Sequence, residues 1–245
     1  MNAAVSYTRY ELLRTFRNAR FFIFSLGFPV VLYYVIAGGN RDVSNLSGSG
    51  ISAPLYFMVG LASFGTMNAV LAAGARISPE RAVGWNRQLR LTPLKARAYF
   101  RAKVVTGYTM ALITLAILYG AGVSLGVSLT AGKWVEMTAY LLIGLIPFVA
   151  MGVVFGHLVT PESIGPVMGG TTAFLSLLGG IWFPIGSGTL HDIAQALPSY
   201  WLVRASHVSL GGAAWGLKGW LIEAGWTVVL TALAARAYAR DTQRV

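Results

Sequence analysis

The chain has 245 residues, of which 56% are hydrophobic and only 11% charged, with a mean hydropathy of +0.63; a soluble domain carries about 25% charged residues. A formal net charge of +11 would suit a nucleic-acid binder in a soluble protein. Here the Lys and Arg flank long apolar runs, the pattern of a polytopic membrane protein, so no nucleic-acid partner is expected. With no Cys and three scattered His, disulfides, thiolate metal sites, cysteine nucleophiles and a metal cluster are excluded as readings of the sequence.

Residues 1–20 read as an amphipathic helix lying at the membrane interface. At about 100° per residue, Val5, Leu12, Phe16 and Ala19 share a stripe, and Arg9, Arg17 and Arg20 line one side of it. A basic leader acting only as a topology signal would use the same arginines. No cleavable signal peptide is expected, because the first apolar run starts at Phe21 and has no small-residue exit.

A membrane-crossing helix needs about 20 apolar residues, and six runs qualify: 21–37, 52–75, 104–126, 137–159, 165–183 and 220–238. The fourth holds His157 near its inner end, and the last holds Glu223 near its outer end. Of the nineteen Lys and Arg, fifteen fall in the N-terminus, the connection after the second run and the C-terminus. The other four are Arg41, Lys133, Arg204 and Lys218. This asymmetry predicts cytoplasmic termini and an even number of spans.

The connection at 78–103 is a basic island between two uncharged runs. Ser78-Pro79 and Thr92-Pro93 each pair a capping hydroxyl with a Pro suited to the first helical position, which predicts a short helix over 79–91 and a second from Pro93 into the third span. Glu80 would sit in the first turn of the short helix, where the helix dipole favours a negative charge. Trp85 and Leu89, at i and i+4, would give that helix an apolar face surrounded by Arg81, Arg87 and Arg90. A groove on a soluble partner and an anionic membrane surface would both suit such a face. Thr160-Pro161-Glu162 repeats the helix-start signal before the fifth run.

The segment 186–219 is too long for a simple turn. Its spacing of Leu190, Ile193 and Leu197, the break at Pro198, and then Trp201, Ala205 and Val208 predict two short helices at or dipping into the outer interface. Trp182, Trp201, Trp215 and Trp220 would anchor them at headgroup level. Gly122-x-x-x-Gly126, Gly152-x-x-x-Gly156 and Gly165-x-x-x-Gly169 are candidate helix-packing faces.

Glu80-Arg81, Gly84, Leu91-Thr92-Pro93-Leu94 and Lys103 together resemble the inner loop of type-2 ABC exporter permeases. The likeness extends to Arg17-Asn18, Arg20-Phe21 and Gly27-Phe28-Pro29 at the start, and to Gly179 through Pro184 with Leu197-Pro198 later on. The chain departs from many members at Gly84-Trp85-Asn86, where those are more acidic. The resemblance implies an all-α, polytopic integral membrane protein with six transmembrane helices, an N-terminal interfacial helix and short outer re-entrant helices, forming one transmembrane domain over 1–245. It further implies a plasma-membrane permease subunit that pairs with a second membrane subunit, as a homodimer, and with two separate ABC ATPase subunits that carry the ATP and Mg.

In that family the inner loop receives the ATPase motion. The resemblance therefore assigns Glu80, Arg81, Gly84, Thr92, Pro93 and Leu94 to ATPase coupling, and the apolar face of the short helix adds Trp85 and Leu89 to them. Arg9, Leu12, Phe16, Arg17 and Arg20 fall to the interfacial helix, and Trp182, Phe183, Pro184, Pro198 and Trp201 to an outer gate. The cargo implied is a small amphipathic drug, antibiotic or lipid-like molecule, with the drug and antibiotic resistance branch the nearest. The nearest approach to a phosphate-binding loop, Ala131-Gly132-Lys133-Trp134, has Val127 where the first Gly belongs and Trp134 where a hydroxyl belongs, so no ATPase site is read in this chain. A secondary transporter or channel working without an ATPase is the alternative; it calls for mid-membrane ionisable residues or paired broken helices. A membrane enzyme would need an interfacial cluster of carboxylates or His.

Overall fold

The computed structural model describes residues 3–18, 23–92 and 94–243. Among them the secondary structure is helical throughout. Four helical stretches are long and apolar enough to cross a membrane: Ala53–Ala82, Ala96–Ser124, Ala131–Leu158 and Gly216–Asp241. The apolar helix Ser25–Gly39 is shorter.

Helix α1, Ala3–Phe16, precedes a π-helical turn, Ile23–Gly27, which opens into α2, Phe28–Gly39. Pro29 brings no N–H to the Ser25 carbonyl and its ring crowds that oxygen, so the turn widens there. The expected stripe of α1 is not its buried face. Glu11 and Thr15 are buried, Leu12 is half-buried, and Val5, Arg9, Phe16 and Arg17 are exposed; Ala19 and Arg20 lie outside the described residues.

Helix α3, Ala53–Ala75, is apolar on every side and is the centre of the bundle, with 83% of its apolar window buried. It packs against α2, against α6 (Ala96–Ser124) and against α8 (Ile146–Leu158). One of the three glycine pairs explains how closely: a Cβ on Gly74 would lie 2.5 Å from the Gly152 carbonyl carbon, and one on Gly156 would lie 2.5 Å from Gly74 O. Gly165 and Gly169 face open space.

The chain does not restart at Ser78-Pro79. Helix α3 runs on almost directly into α4, Ile77–Ala82, and Ser78 Oγ donates to Val159 O at 2.6 Å instead of capping a helix. The single short helix expected over 79–91 is two helices, because Gly84 takes a left-handed φ of +70° and breaks it before α5, Trp85–Arg90. Thr92 closes α5 by donating to Leu89 O at 2.7 Å, and α6 begins at Ala96 with Lys95 at its N-cap. Pro93 lies outside the described residues.

Helix α7, Ala131–Gly144, continues into α8 across a break at Leu145, where Pro147 removes a backbone donor. Thr160-Pro161 does open α9, Pro161–Leu178, which ends at Gly179 and Gly180. Two short helices follow as expected, α10 (Thr189–Gln195) and α11 (Pro198–Arg204), then a 3-10 turn, Ala205–Leu210. The last helix, α12, Gly216–Gln243, packs along α8.

Candidate functional site

Two charge clusters, one buried and one partly exposed, meet at α4. In the first, Lys103 Nζ donates to Glu11 Oε1 at 2.7 Å and to Glu80 Oε1 at 2.6 Å. All three side chains are less than 5% exposed. Tyr99 Oη donates to Glu80 Oε2 at 2.6 Å, and Arg14 Nη1 reaches Glu80 Oε1 at 3.0 Å from the solvent side. Arg76 Nη1 donates to Thr15 Oγ1 and lies 3.9 Å from Glu11 Oε1. Two carboxylates thus face Lys103 and Arg76, so little net charge is left in a low-dielectric site.

In the second cluster, Arg81 Nη2 donates to Asp241 Oδ1 at 2.5 Å, while Nη1 donates to His157 O at 2.5 Å and Gly156 O at 3.3 Å. These carbonyls belong to the last turn of α8, where a cation meets both unpaired acceptors and the negative end of the helix dipole. His157 Nδ1 and Asp241 Oδ2 are 3.0 Å apart, and the His157 ring packs against Phe100 and Tyr238. Glu80 therefore ties α4 to α1 and α6, and Arg81 ties it to α8 and α12.

Beside the first cluster, α1 and the α4–α5 segment enclose an open groove of about 760 Å³. Tyr7, Tyr10, Pro79, Val83, Trp85 and Leu89 give it its apolar walls. Burial, with Glu11 and Glu80 close by, pushes the Tyr7 phenol above its ordinary range, so it is neutral. Val83 and Trp85 remain 74% and 37% exposed, an apolar surface that the described residues leave open.

Of the residues the sequence assigned to coupling, Glu80, Trp85, Leu89, Thr92 and Leu94 line this groove, Arg81 lies behind it, and Gly84 makes the bend between α4 and α5. Of the interfacial-helix residues, Arg9 and Arg17 stay outside both clusters. Glu11, Arg14, Tyr99 and Asp241 were missed. Glu11 could have been found as the sole acid of a basic helix, and Asp241 as the acid among the C-terminal arginines.

At the other end of α3 the expected outer residues are not one surface. Trp201 and Trp215 are 4% and 2% exposed and belong to the core, contrary to their expected place at headgroup level. Their indoles are spent on the backbone, Trp201 Nε1 on Gln195 O at 3.0 Å and Trp215 Nε1 on Trp201 O at 2.7 Å. Pro198 is buried, Trp182 donates to Ser176 Oγ at 3.0 Å, Phe183 is exposed, and Trp220 is 41% exposed. Glu223, expected near the outer end of the last run, is 4% exposed, with neither carboxyl oxygen hydrogen-bonded among the described residues.

The family model described as "ABC-2 type transporter" matches residues 3–210. The "Putative transport permease YvfS" of Bacillus subtilis (strain 168) is 26% identical over 222 residues, covering 89% of this chain and 86% of that protein.

Proposed function

Because the chain belongs to the ABC-2 type transporter family, we propose that it is the membrane-embedded permease of an ATP-driven exporter and that its ATPase partner docks in the groove between α1 and α4–α5. The observation that carries this reading is the pair of neighbours at the back of the groove. Glu80 holds α1 and α6 while Arg81 holds α8 and α12, so a push on α4–α5 reaches four helices through charge-assisted hydrogen bonds rather than through a flexible loop.

The permease crosses the plasma membrane six times with both termini and this groove in the cytoplasm, and the outer helices α10 and α11 form a re-entrant element. The basic residues gathered at the groove end support that orientation. A second, identical subunit pairs with it, supported by the exposed apolar faces of α2 (Phe28, Val31, Val35) and α9 (Phe174, Leu177). The cargo is a small hydrophobic or amphipathic drug, antibiotic or lipid-like molecule leaving between the two copies. ATP and Mg are bound by the partner ATPase.

The test is co-purification with the cognate ATPase and ATP-driven transport in proteoliposomes, repeated with Val83→Glu and with Trp85→Ala/Leu89→Ala. Capture and ATP-dependent transport are expected from the native chain and lost from both variants, with the unfolding temperature unchanged. Transport driven by a proton gradient without ATP overturns the proposal.

A further inference from the structure

At the end of α3 opposite the charge clusters, a small cavity of about 100 Å³ lies among the start of α3, the Gly179-Gly180 turn, α10 and α11. Its polar lining includes Arg204, His191, His207, Tyr56 and Tyr200, and no Asp or Glu. Two of the three His of the chain and one of the four Lys and Arg outside the basic segments thus face one space.

The hydrogen-bond network fixes which donors of these side chains are left without a partner. Lys218 Nζ can only donate, and it donates to Gln195 Oε1. The Gln195 amide nitrogen therefore faces His191 Nε2, which must accept, and the His191 proton is on Nδ1. In the same way Arg204 Nη1 donates to His207 Nε2 at 3.0 Å, which places the His207 proton on Nδ1 as well. His191 Nδ1–H and Arg204 Nε–H are both buried without a partner. Among the described residues, Arg204 has no carboxylate in ion-pair reach.

A guanidinium without a counter-ion and an imidazole N–H without an acceptor, around one cavity lined by no acid, lack the same thing. Leaving either donor buried and unsatisfied is unfavourable, and the charged one more so. We propose that this cavity binds a single phosphate-type oxyanion, with Arg204 and His191 as the principal donors and His207 positioning Arg204. The volume admits several waters or one tetrahedral oxyanion, and excludes a whole amphiphile. The oxyanion is either free or the headgroup phosphate of a lipid whose tails stay in the bilayer. The site is independent of the ATPase reading, since its binding needs no ATPase.

The experiment uses the purified full chain in detergent, in a buffer free of phosphate. Inorganic phosphate is titrated against chloride at constant ionic strength, with unfolding temperature and Trp fluorescence as readouts. In parallel, native mass spectrometry follows retention of phosphatidylglycerol, against diacylglycerol, through delipidation. Arg204→Gln, Arg204→Lys and His191→Phe are compared, each checked for native-like circular dichroism and elution.

A free-oxyanion site gives saturable stabilisation by phosphate, weakened about tenfold or more in Arg204→Gln and His191→Phe and partly kept in Arg204→Lys. A lipid-headgroup site gives no response to inorganic phosphate, but retains phosphatidylglycerol over diacylglycerol and loses that retention in the same two variants. If neither ligand binds, or if binding is unchanged in Arg204→Gln, the proposal is overturned. Should Arg204→Gln fail to fold, His191→Phe, which keeps the cation, carries the same decision.

Discussion

Glu80 and Arg81 are adjacent in sequence and belong to different charge clusters, Glu80 Oε1 lying 2.6 Å from Lys103 Nζ and Arg81 Nη2 lying 2.5 Å from Asp241 Oδ1. Successive residues of a helix point about 100° apart, so one turn of α4 grips two pairs of helices. This explains how a short segment between long helices is held rigidly enough to carry a load.

Lys103→Met tests the first cluster. It leaves Glu11 and Glu80 buried without their shared cation, and removing one member of a buried ion cluster costs about 3–5 kcal/mol. A marked fall in unfolding temperature in detergent is expected, with part of it recovered when Glu80→Gln is added. Lys103→Met with native stability contradicts the cluster.

Asp241→Asn tests the second. The Arg81 guanidinium loses a charged acceptor that is partly exposed, a loss of about 1–3 kcal/mol. Hydrogen exchange at the C-terminal turns of α12 should rise while exchange in α1 stays as in the native chain. Equal effects at both ends would mean that the clusters are not separate.

Backbone contact between α3 and α8 makes Gly152 intolerant of a side chain: a Cβ there would lie 2.6 Å from Leu71 O. Gly152→Val should therefore unfold or misfold the chain, overpacking alone costing about 1–3 kcal/mol. Gly165→Ala, where nothing lies within 4 Å, should be neutral or slightly stabilising, because Ala loses less backbone entropy in a helix than Gly. Expression level and elution profile separate the two outcomes.

His207 predicts a pH dependence. Burial pushes its imidazole down to about 4, and the Arg204 cation acts in the same direction. In the unfolded chain it titrates near 6.5, so between about pH 6.5 and 4 the unfolded chain takes up a proton that the folded one refuses. Stability from this group is full above that window and is lost as pH falls through it. In phosphate-free buffer the unfolding temperature should drop from pH 7 to pH 5, less steeply in His207→Asn. An identical slope in the variant contradicts the assignment.

The fold was legible wherever hydrophobic length decides it. The second, third, fourth and sixth apolar runs each coincide with a long apolar helix, because a run of uncharged residues has no other way to satisfy its backbone in a bilayer. Their ends were less legible. Helix α6, expected from Pro93, begins at Ala96, ahead of the apolar run at 104; what the sequence does not show is that Lys103 is neutralised by two carboxylates brought from residues 11 and 80, a pairing no local pattern announces. The same cause turned α1 over: its buried face is Glu11 and Thr15, polar residues that a hydrophobic stripe cannot pick out. Ser78-Pro79 misled because its hydroxyl found a distant carbonyl, Val159 O, in place of its own helix's N–H. Trp201 and Trp215 were placed by their usual interfacial preference, but their N–H groups are satisfied by backbone carbonyls of α10 and α11, which lets the rings enter the core.

The α1/α4–α5 groove is the proposed place where the ATPase engages. Since the chain has no Cys of its own, Leu89→Cys and Leu190→Cys each carry a single thiol, one in the groove and one exposed at the opposite end. With a photoreactive label on that thiol and the cognate ATPase bound, the account predicts a crosslink to the ATPase from position 89 and none from position 190. A crosslink from position 190, or none from position 89 in a complex that still hydrolyses ATP on adding substrate, would contradict it.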